Sequence, residues 1–355
     1  MKKILPNVLL ATLLALTGCT NLGPAAIQVS RSDYNMALRK TDDEQMLLNL
    51  VRLRYRDRPL FLEVSALNTQ FSFSAGANAR TELGDVDDLV GFGGNVLIEE
   101  SPTVTYTPLQ GADFVERVLT PVKIETLLLL DTSGWSSERV FRILLDQMNG
   151  LKNAPGSTGP TPERVTEFEE FVAVTRLLRQ LELADLIIGG TQNGQIVLHF
   201  AEAARELPEY LELTRLLQLD PALGNYPITT VLRDQRQKNA INMRFRSFAG
   251  VLYFLSQSVE VPADDIAKGR VTLTLDSNDE IFDWKRVSEG LMHIRSSPTQ
   301  PDNASVTVPY RGSWFYIDDS DLDSKSTFSM LGQLFALQSG NAAGMVPVLT
   351  IPVGG

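Results

Sequence analysis

Apolar residues recur along the chain at two spacings, and the switches between them sketch the fold. Over residues 41–57, Met46, Leu47, Leu50 and Val51 fall three or four apart, which predicts a helix with one apolar face. Thr41 and Glu44 have capping-box spacing at its start, and Pro59 is expected to stop it. Residues 60–76 alternate apolar with polar, as one long or two short strands do. A Gly- and Asp-rich stretch over 75–94 predicts a loop, and 95–108 predicts a hairpin. Helical spacing returns at 109–119, 122–130 and 136–149. Apolar residues then nearly vanish over 149–162 while Gly and Pro accumulate, the composition of a linker.

Past that point Phe171, Val174, Leu178 and Leu181 predict a second amphipathic helix. Residues 185–200 predict a hairpin turning on Asn193 and Gly194, the pair best suited to a tight type I′ turn. A helix over 208–219, a short strand over 228–232 and a mostly buried helix over 240–256 follow. Two strands are expected around Arg311 and Gly312. A helix then starts near Asp321 with Phe328, Leu331, Leu334 and Phe335 on one face. Residues 345–355 read as a closing extended segment, with Pro347 and Pro352 favouring a sheet edge. Together these elements predict an α+β fold of helices and mostly antiparallel hairpins, in one large or two modest domains. The division expected is 31–150 and 162–355, joined by 151–161. A β-barrel is not expected, because its strands would alternate from end to end of the chain.

The first residues follow a different logic. Lys2 and Lys3 precede an apolar run over 8–16, and the small residues Thr17 and Gly18 lead to Cys19. This is the layout of a secretory signal peptide, and the run is too short for a membrane span of ~20 residues. Leu16, Thr17, Gly18 and Cys19 resemble the bacterial lipobox. That resemblance implies diacylglyceryl attachment at the Cys19 sulfur, removal of residues 1–18, and a lipidated tether over 19–30. Two or more acyl chains suffice for stable anchoring. Thr20 stands where an Asp would retain a lipoprotein at the inner membrane, so the resemblance points to the outer membrane, periplasmic or surface face left open.

Composition narrows the function. Lys and Arg number 32 against 43 Asp and Glu, a net charge of −11, and loss of residues 1–18 removes two lysines and no acid. A surface this acidic argues against nucleic-acid binding, which needs clustered cations. Cys19 is the only cysteine, so no intramolecular disulfide can form.

Candidate chemistry is sparse. The sequence lacks G-x-S-x-G, H-E-x-x-H, a P-loop and any cysteine pair, and no cofactor is expected. Residues 91–96, GFGGNV, have Val96 where a dinucleotide loop needs its third glycine, and read as a flexible loop. His199 and His293 are read as structural residues, with Glu289 one helical turn from His293 as a local contact. Asp319, Asp321 and Asp323 open like an EF-hand loop, then depart from it at Ser324 and Met330. They are read chiefly as capping and charging the following helix, with a weak divalent-ion site as the alternative. Arg52, Arg54, Arg56 and Arg58 form a basic cluster that could contact a lipid phosphate, a polyanion or an acidic partner. Pairing with the chain's own carboxylates, Asp57 and Glu63 being near, is the preferred reading. Ser136 or Ser137, in DTSGWSS, is read as a helix N-cap rather than a nucleophile.

Three pieces, EQMLLNLVRLRYRDRPLFLEVSAL, TVTYTPLQGADFVERVLTPV and YRGSWFYIDDSDLDSKSTFSMLGQLFALQSG, are similar to those of an uncharacterised family of proteobacterial envelope lipoproteins. The resemblance covers most of the mature chain. It supports the address and implies no activity, cofactor or functional residue. The function expected is that of an outer-membrane-anchored, non-enzymatic binding or structural component of the cell envelope. Its partners would be outer-membrane lipid, through Cys19, and an envelope protein. The alternative is an envelope hydrolase acting on peptidoglycan, glycan or lipid, with a site assembled from distant segments. A carrier with an enclosed apolar cavity is a third.

Overall fold

The computed structural model describes residues 22–81, 90–154, 168–230, 237–276 and 278–338, with backbone alone for 22–31, 67–81 and 90–102. In chain order, helix α1 (Leu22–Arg54) leads into strands β1 (Leu62–Thr81) and β2 (Val90–Pro108). Helix α2 (Gly111–Phe114) runs on as a π-turn over Val115–Leu119. Then come α3 (Ile124–Thr132), α4 (Ser137–Leu144), β3 (Leu145–Met148), β4 (Leu151–Lys152) and α5 (Glu169–Leu183). The middle of the chain forms β5 (Ile187–Gln192), β6 (Gln195–Phe200), α6 (Pro208–Leu217), β7 (Asn225–Thr229), β8 (Ile241–Phe245) and α7 (Phe248–Ser256). Last are α8 (Ala263–Ala267), α9 (Lys285–Ser288), β9 (Arg295–Ser297), β10 (Ala304–Tyr310), β11 (Ser313–Asp318) and α10 (Leu322–Gln338). The fold is α+β, as the sequence predicts, with mostly antiparallel sheets, one mixed sheet and no closed barrel among the described residues.

Contacts divide the described chain into two units. One takes in α1 up to Pro59 together with Pro121–Phe335; the other takes in Leu60–Thr120 and the described residues after Phe335. The first unit holds a six-stranded sheet in the order β4-β3-β8-β7-β6-β5, antiparallel except for β7 beside β8. It also holds a three-stranded sheet ordered β10-β11-β9. Since β3 and β4 precede residues 155–167 and β5 to β8 follow them, strand pairing crosses the stretch expected to link two domains. The units part instead at Pro59 and at Thr120.

The predicted tight turn at Asn193 and Gly194 forms, and the two strands expected around Arg311 and Gly312 are joined by a turn of the same kind. Asn193 and Gly194 have φ of 52° and 77°, and Arg311 and Gly312 have 49° and 85°, the doubly left-handed backbone of a type I′ turn. In α5 the predicted stripe of Phe171, Val174, Leu178 and Leu181 is buried. Three helices differ from expectation. The first starts at Leu22, and Thr41 caps nothing: its hydroxyl donates to the Leu38 carbonyl one turn back, within a continuing helix. The helix expected over 136–149 ends at Leu144 and passes without a turn into β3. The helix expected over 240–256 begins only at Phe248, because Ile241, Met243 and Phe245 alternate inward along β8. Ser247 caps α7, accepting from the Gly250 N–H at 3.1 Å.

The abrupt end of α4 exposes a problem that one side chain solves. The last carbonyls of a helix lack intrahelical partners, and here the chain turns away into a buried strand. Arg246, just past β8, is 3 % exposed. Its Nη1 donates to the carbonyls of Arg142, Ile143 and Leu145 at 3.2, 3.0 and 2.6 Å, and its Nη2 to that of Asn153 at 2.6 Å. Its guanidinium also stacks over the Phe254 ring at 4.2 Å. Burial pulls its pKa down to about 10, which still leaves it charged at neutral pH. Asn153 Nδ2 doubles the contacts to Arg142 and Leu145.

In the second unit β1 and β2 form a two-stranded ribbon from Leu62 opposite Pro108 to Thr81 opposite Val90, with one register shift between Val64 and Ala66. The loop expected over 75–94 is therefore strand on both sides of residues 82–89, which lie outside the described residues. GFGGNV is part of β2, and 95–108 pairs with β1 rather than with itself. Gly76 opposite Asn95 and Asn78 opposite Gly93 show turn-type residues tolerated where cross-strand pairing carries the backbone. Near its base Arg117 forms a two-pronged pair with Glu63. The closing segment expected over 345–355 lies outside the described residues.

Replacing Arg246 with Met is expected to cost about 3–5 kcal/mol, because it strands buried carbonyls without donors. Arg246→Lys is expected to recover only part of that, since an ammonium cannot span four acceptors. Urea unfolding of the two variants against the parent measures both.

Candidate functional site

Three places in the first unit gather polar side chains. The first lies where α1 ends. The Asp57 N–H donates to the Arg52 carbonyl at 2.8 Å and the Arg56 N–H to that of Leu53 at 3.1 Å. With Arg56 at φ 61°, this is a Schellman closure with an arginine in the position glycine usually takes. The reversal brings Tyr55 and Asp57 to residues more than two hundred positions away. The Tyr55 hydroxyl donates to Asp265 at 2.5 Å, and Arg270 donates to the other oxygen of that carboxylate at 2.6 Å. Asp57 accepts from the Tyr310 hydroxyl and, at 2.8 Å, from Arg311. The Arg311 guanidinium lies over the rings of Tyr55 and Tyr310 at 5.3 and 5.6 Å.

The protonation states follow from these contacts. The Tyr310 hydrogen bond, then Arg311, holds Asp57 below the usual carboxylate value of 3.8. Burial pushes Asp265 up, but the bonds from Tyr55 and Arg270 outweigh it and leave it lowered. Burial raises Tyr55 and Tyr310, and their carboxylate partners raise them further. The phenols are therefore protonated donors and the carboxylates anions that accept from them. This arrangement suits a clasp between α1 and the β10–β11 turn; it does not suit proton transfer at neutral pH.

The arginines expected as a contact patch are dispersed by the same closure. Arg54 reaches inward to the Thr272 carbonyl at 3.0 Å. Arg52 contacts Asn49 at 3.4 Å, and Arg56 and Arg58 are exposed. Of the acids proposed as their partners, Asp57 bonds to Tyr310 and Arg311, with Arg52 near enough to add to its lowering, and Glu63 pairs with Arg117.

The second place is a cavity of about 400 Å³ lined by His293, Asp283, Glu289, Asp321 and Asp323, among others. Asp321 caps α10, accepting the Ser324 N–H at 3.1 Å and its hydroxyl at 2.7 Å. Asp323 pairs with Arg139 at 2.7 Å and Asp319 with Lys325 at 2.6 Å. The three alternate acids thus face three different partners, and no group of three His, Cys, Asp or Glu among the described residues is placed to hold a metal ion. His293 Nε2 stands 3.5 Å from Glu260. The Ser324 hydroxyl is buried, giving its proton to Asp321 and accepting the His293 backbone N–H at 2.8 Å. Ser, His and Asp are neighbours here without the hydrogen-bond order a nucleophile needs.

The remaining candidates sit apart. His199 is exposed on β6, with Nδ1 2.6 Å from Asn225 Oδ1. Ser136 occupies the N-cap of α4 without a side-chain cap bond, and Ser137 bonds Glu182. Cys19 lies outside the described residues.

The third place is a groove of about 880 Å³ along α1 and strand β10. Met36, Arg39, Lys40, Asp43, Glu44 and Leu48 line it from the helix, and Val306, Thr307, Val308, Pro309 and Trp314 from the sheet. Met36 is 60 % exposed. Arg39 with Asp43 at 3.7 Å and Lys40 with Glu44 at 3.9 Å form helical-turn pairs at its rim. Strand β10 is an edge of its sheet. Tyr310 pairs with Ser313 next to the two-residue turn, so Val308 again points its backbone inward to Phe315, while Thr307 and Pro309 present theirs to the edge. Pro309 supplies no N–H there. Sequence reading missed this groove; the alternation of Val306 and Val308 ending in Pro309 was its one signal.

No protein-family model, curated protein or solved structure matches the chain. Among the described residues no helix is long and apolar enough to cross a membrane.

The two depressed carboxylates make a pH prediction. Asp57 and Asp265 bind protons less readily folded than unfolded, so their stabilisation is complete above the ordinary carboxylate value and is lost as pH falls below it. In Tyr310→Phe, stability at pH 7 is expected to drop by about 1 kcal/mol and the loss below pH ~4 to become shallower. Denaturant midpoints from pH 7 down to 3 read both effects.

Proposed function

We propose that the protein is an outer-membrane-anchored lipoprotein that serves the cell envelope as a non-enzymatic binding component. The anchor is the acylated Cys19, on the strength of the lipobox resemblance at Leu16, Thr17, Gly18 and Cys19. The observation that carries the binding role is the groove along α1 and β10. A helix face on one side and a strand edge on the other fit an extended segment of a partner protein, which can pair with the Thr307 backbone while its side chains meet Met36, Leu48 and Trp314. Confinement to the membrane raises the local concentration of the body around an envelope partner.

A second reading, an envelope hydrolase, draws its support from the cavity at His293, where several carboxylates surround one imidazole. It requires Asp321 or Glu260 to act with His293 on a bound substrate, so His293→Ala must abolish any hydrolysis that the purified protein performs on envelope glycan or lipid.

Two variants test the binding role in the native host. Cys19→Ala is expected to abolish incorporation of labelled palmitate and to move the protein out of the outer-membrane fraction; persistence of the label overturns the anchor. Met36→Glu, exposed and outside the core, is expected to stay anchored while reducing recovery of a stoichiometric envelope partner about tenfold, the scale of one interfacial apolar contact. Equal recovery with the parent would remove the groove from the binding role.

A further inference from the structure

We propose that the ribbon of β1 and β2 inserts into a lipid bilayer as two staves of a barrel closed by copies of this chain. The proposal stands on the ribbon alone and does not require the anchoring reading. In the register, Phe73 stands opposite Ile98, Ala75 opposite Val96, Ala77 opposite Gly94, Ala79 opposite Phe92 and Thr81 opposite Val90. Residues two apart share one face of a strand with their cross-strand partners. One face of this section therefore carries apolar and small residues and not a single charge. The positions between, Ser74, Gly76, Asn78 and Arg80 with Leu97, Asn95, Gly93 and Gly91 opposite, make the other face polar or glycine apart from Leu97. Apolar outside and polar inside, alternating by single residues, is the pattern of a membrane barrel strand.

Length supports the same occupant. On that face the run without charge covers residues 73–81 and 90–98, the charged Arg80 falling on the other face, about nine residues per strand, and a tilted strand crosses the hydrocarbon with ~9–11. Charge marks both limits of the band. Glu99 and Glu100 come next after Ile98, and the sequence between Thr81 and Val90 contains Glu82, Asp85, Asp87 and Asp88. A face built for another protein has no reason to stop at the thickness of a bilayer; a face built for acyl chains does.

The edges require the copies. Among the described residues β1 pairs only with β2, so each strand has one open row of backbone donors and acceptors. Hydrocarbon does not tolerate an open edge, and identical ribbons side by side close each other. The smallest membrane barrels have about eight strands, which four chains supply at two strands each.

The test uses the full chain with Cys19→Ala, so that acyl groups cannot carry it to lipid, and dye-loaded vesicles of dilauroylphosphatidylcholine. Ala77→Arg and Asn78→Arg place the same charge at adjacent positions on opposite faces. The Cys19→Ala chain and its Asn78→Arg derivative are expected to release dye, to protect residues 73–98 from added protease, and to form oligomers in the vesicles. Ala77→Arg is expected to release dye ~30-fold less while unfolding at the same temperature as its parent. Absence of release with full cleavage of 73–98 overturns the proposal, as does equal behaviour of the two arginine variants. An oligomer that forms without vesicles and dissociates with Ala77→Arg would give the apolar face to a second copy and also overturn it. None of these outcomes bears on the anchor, which is read separately by palmitate labelling of Cys19.

Discussion

A guanidinium sunk in the core, its hydrogen bonds spent on four backbone carbonyls, is the constraint from which the first unit is built. Arg246 lets α4 stop at Leu144 and become strand β3 with no intervening turn, by accepting the burden of the carbonyls that the change leaves behind. That junction places β3 beside β8, one strand in from the β4 edge of the six-stranded sheet. The Arg246 carbonyl in turn accepts the Val122 N–H at 3.0 Å, which ties the start of α3 to the same point. A planar fork with five donors suits this work and an ammonium does not.

The same device recurs through the unit. Arg142 donates to the carbonyls of Val287 and Glu289 at 3.0 and 2.8 Å, where α9 ends. Arg139 spans the Asp323 carbonyl, the Asp323 carboxylate and the Thr327 hydroxyl at the start of α10. Arg54 holds the Thr272 carbonyl. A chain with one cysteine has no disulfide to join distant loops. Arginine-to-backbone contacts provide those joints, and in an acidic protein they also place positive charge inside the fold.

What could be read in advance follows from the range of each interaction. Local chemistry was legible: the type I′ turn at Asn193, the strand pair around Arg311, the face of α5, and Asp321 at the head of α10 all depend on neighbours within a few residues. Boundaries that depend on distant partners were not. Met148 reads as the last turn of a helix until its strand pairing with Met243 is known. Glycine and asparagine over 75–94 read as a loop until β2 is laid along β1. The arginines at the end of α1 read as pairing with Asp57 and Glu63, or as a contact patch, because the spacing of Arg52, Arg54, Arg56 and Arg58 says nothing of a Schellman reversal that turns one inward. The groove escaped notice because its walls lie far apart in sequence, Met36 on one and Thr307 on the other.

The clasp at Asp57 has a consequence for how the chain must come together. Arg311 occupies a left-handed turn position that suits glycine or asparagine better, and its contacts to Asp57, Tyr55 and Tyr310 offset that cost only once the end of α1 has arrived. The hairpin of β10 and β11 and the first helix therefore complete each other across 254 positions. Such non-local closure slows folding, since the loop between must be ordered before the contact rewards it. A ribosome or translocation channel delivers α1 first and the hairpin last. The amino-terminal helix must wait, its groove-lining face unmatched, until nearly the whole polypeptide has emerged.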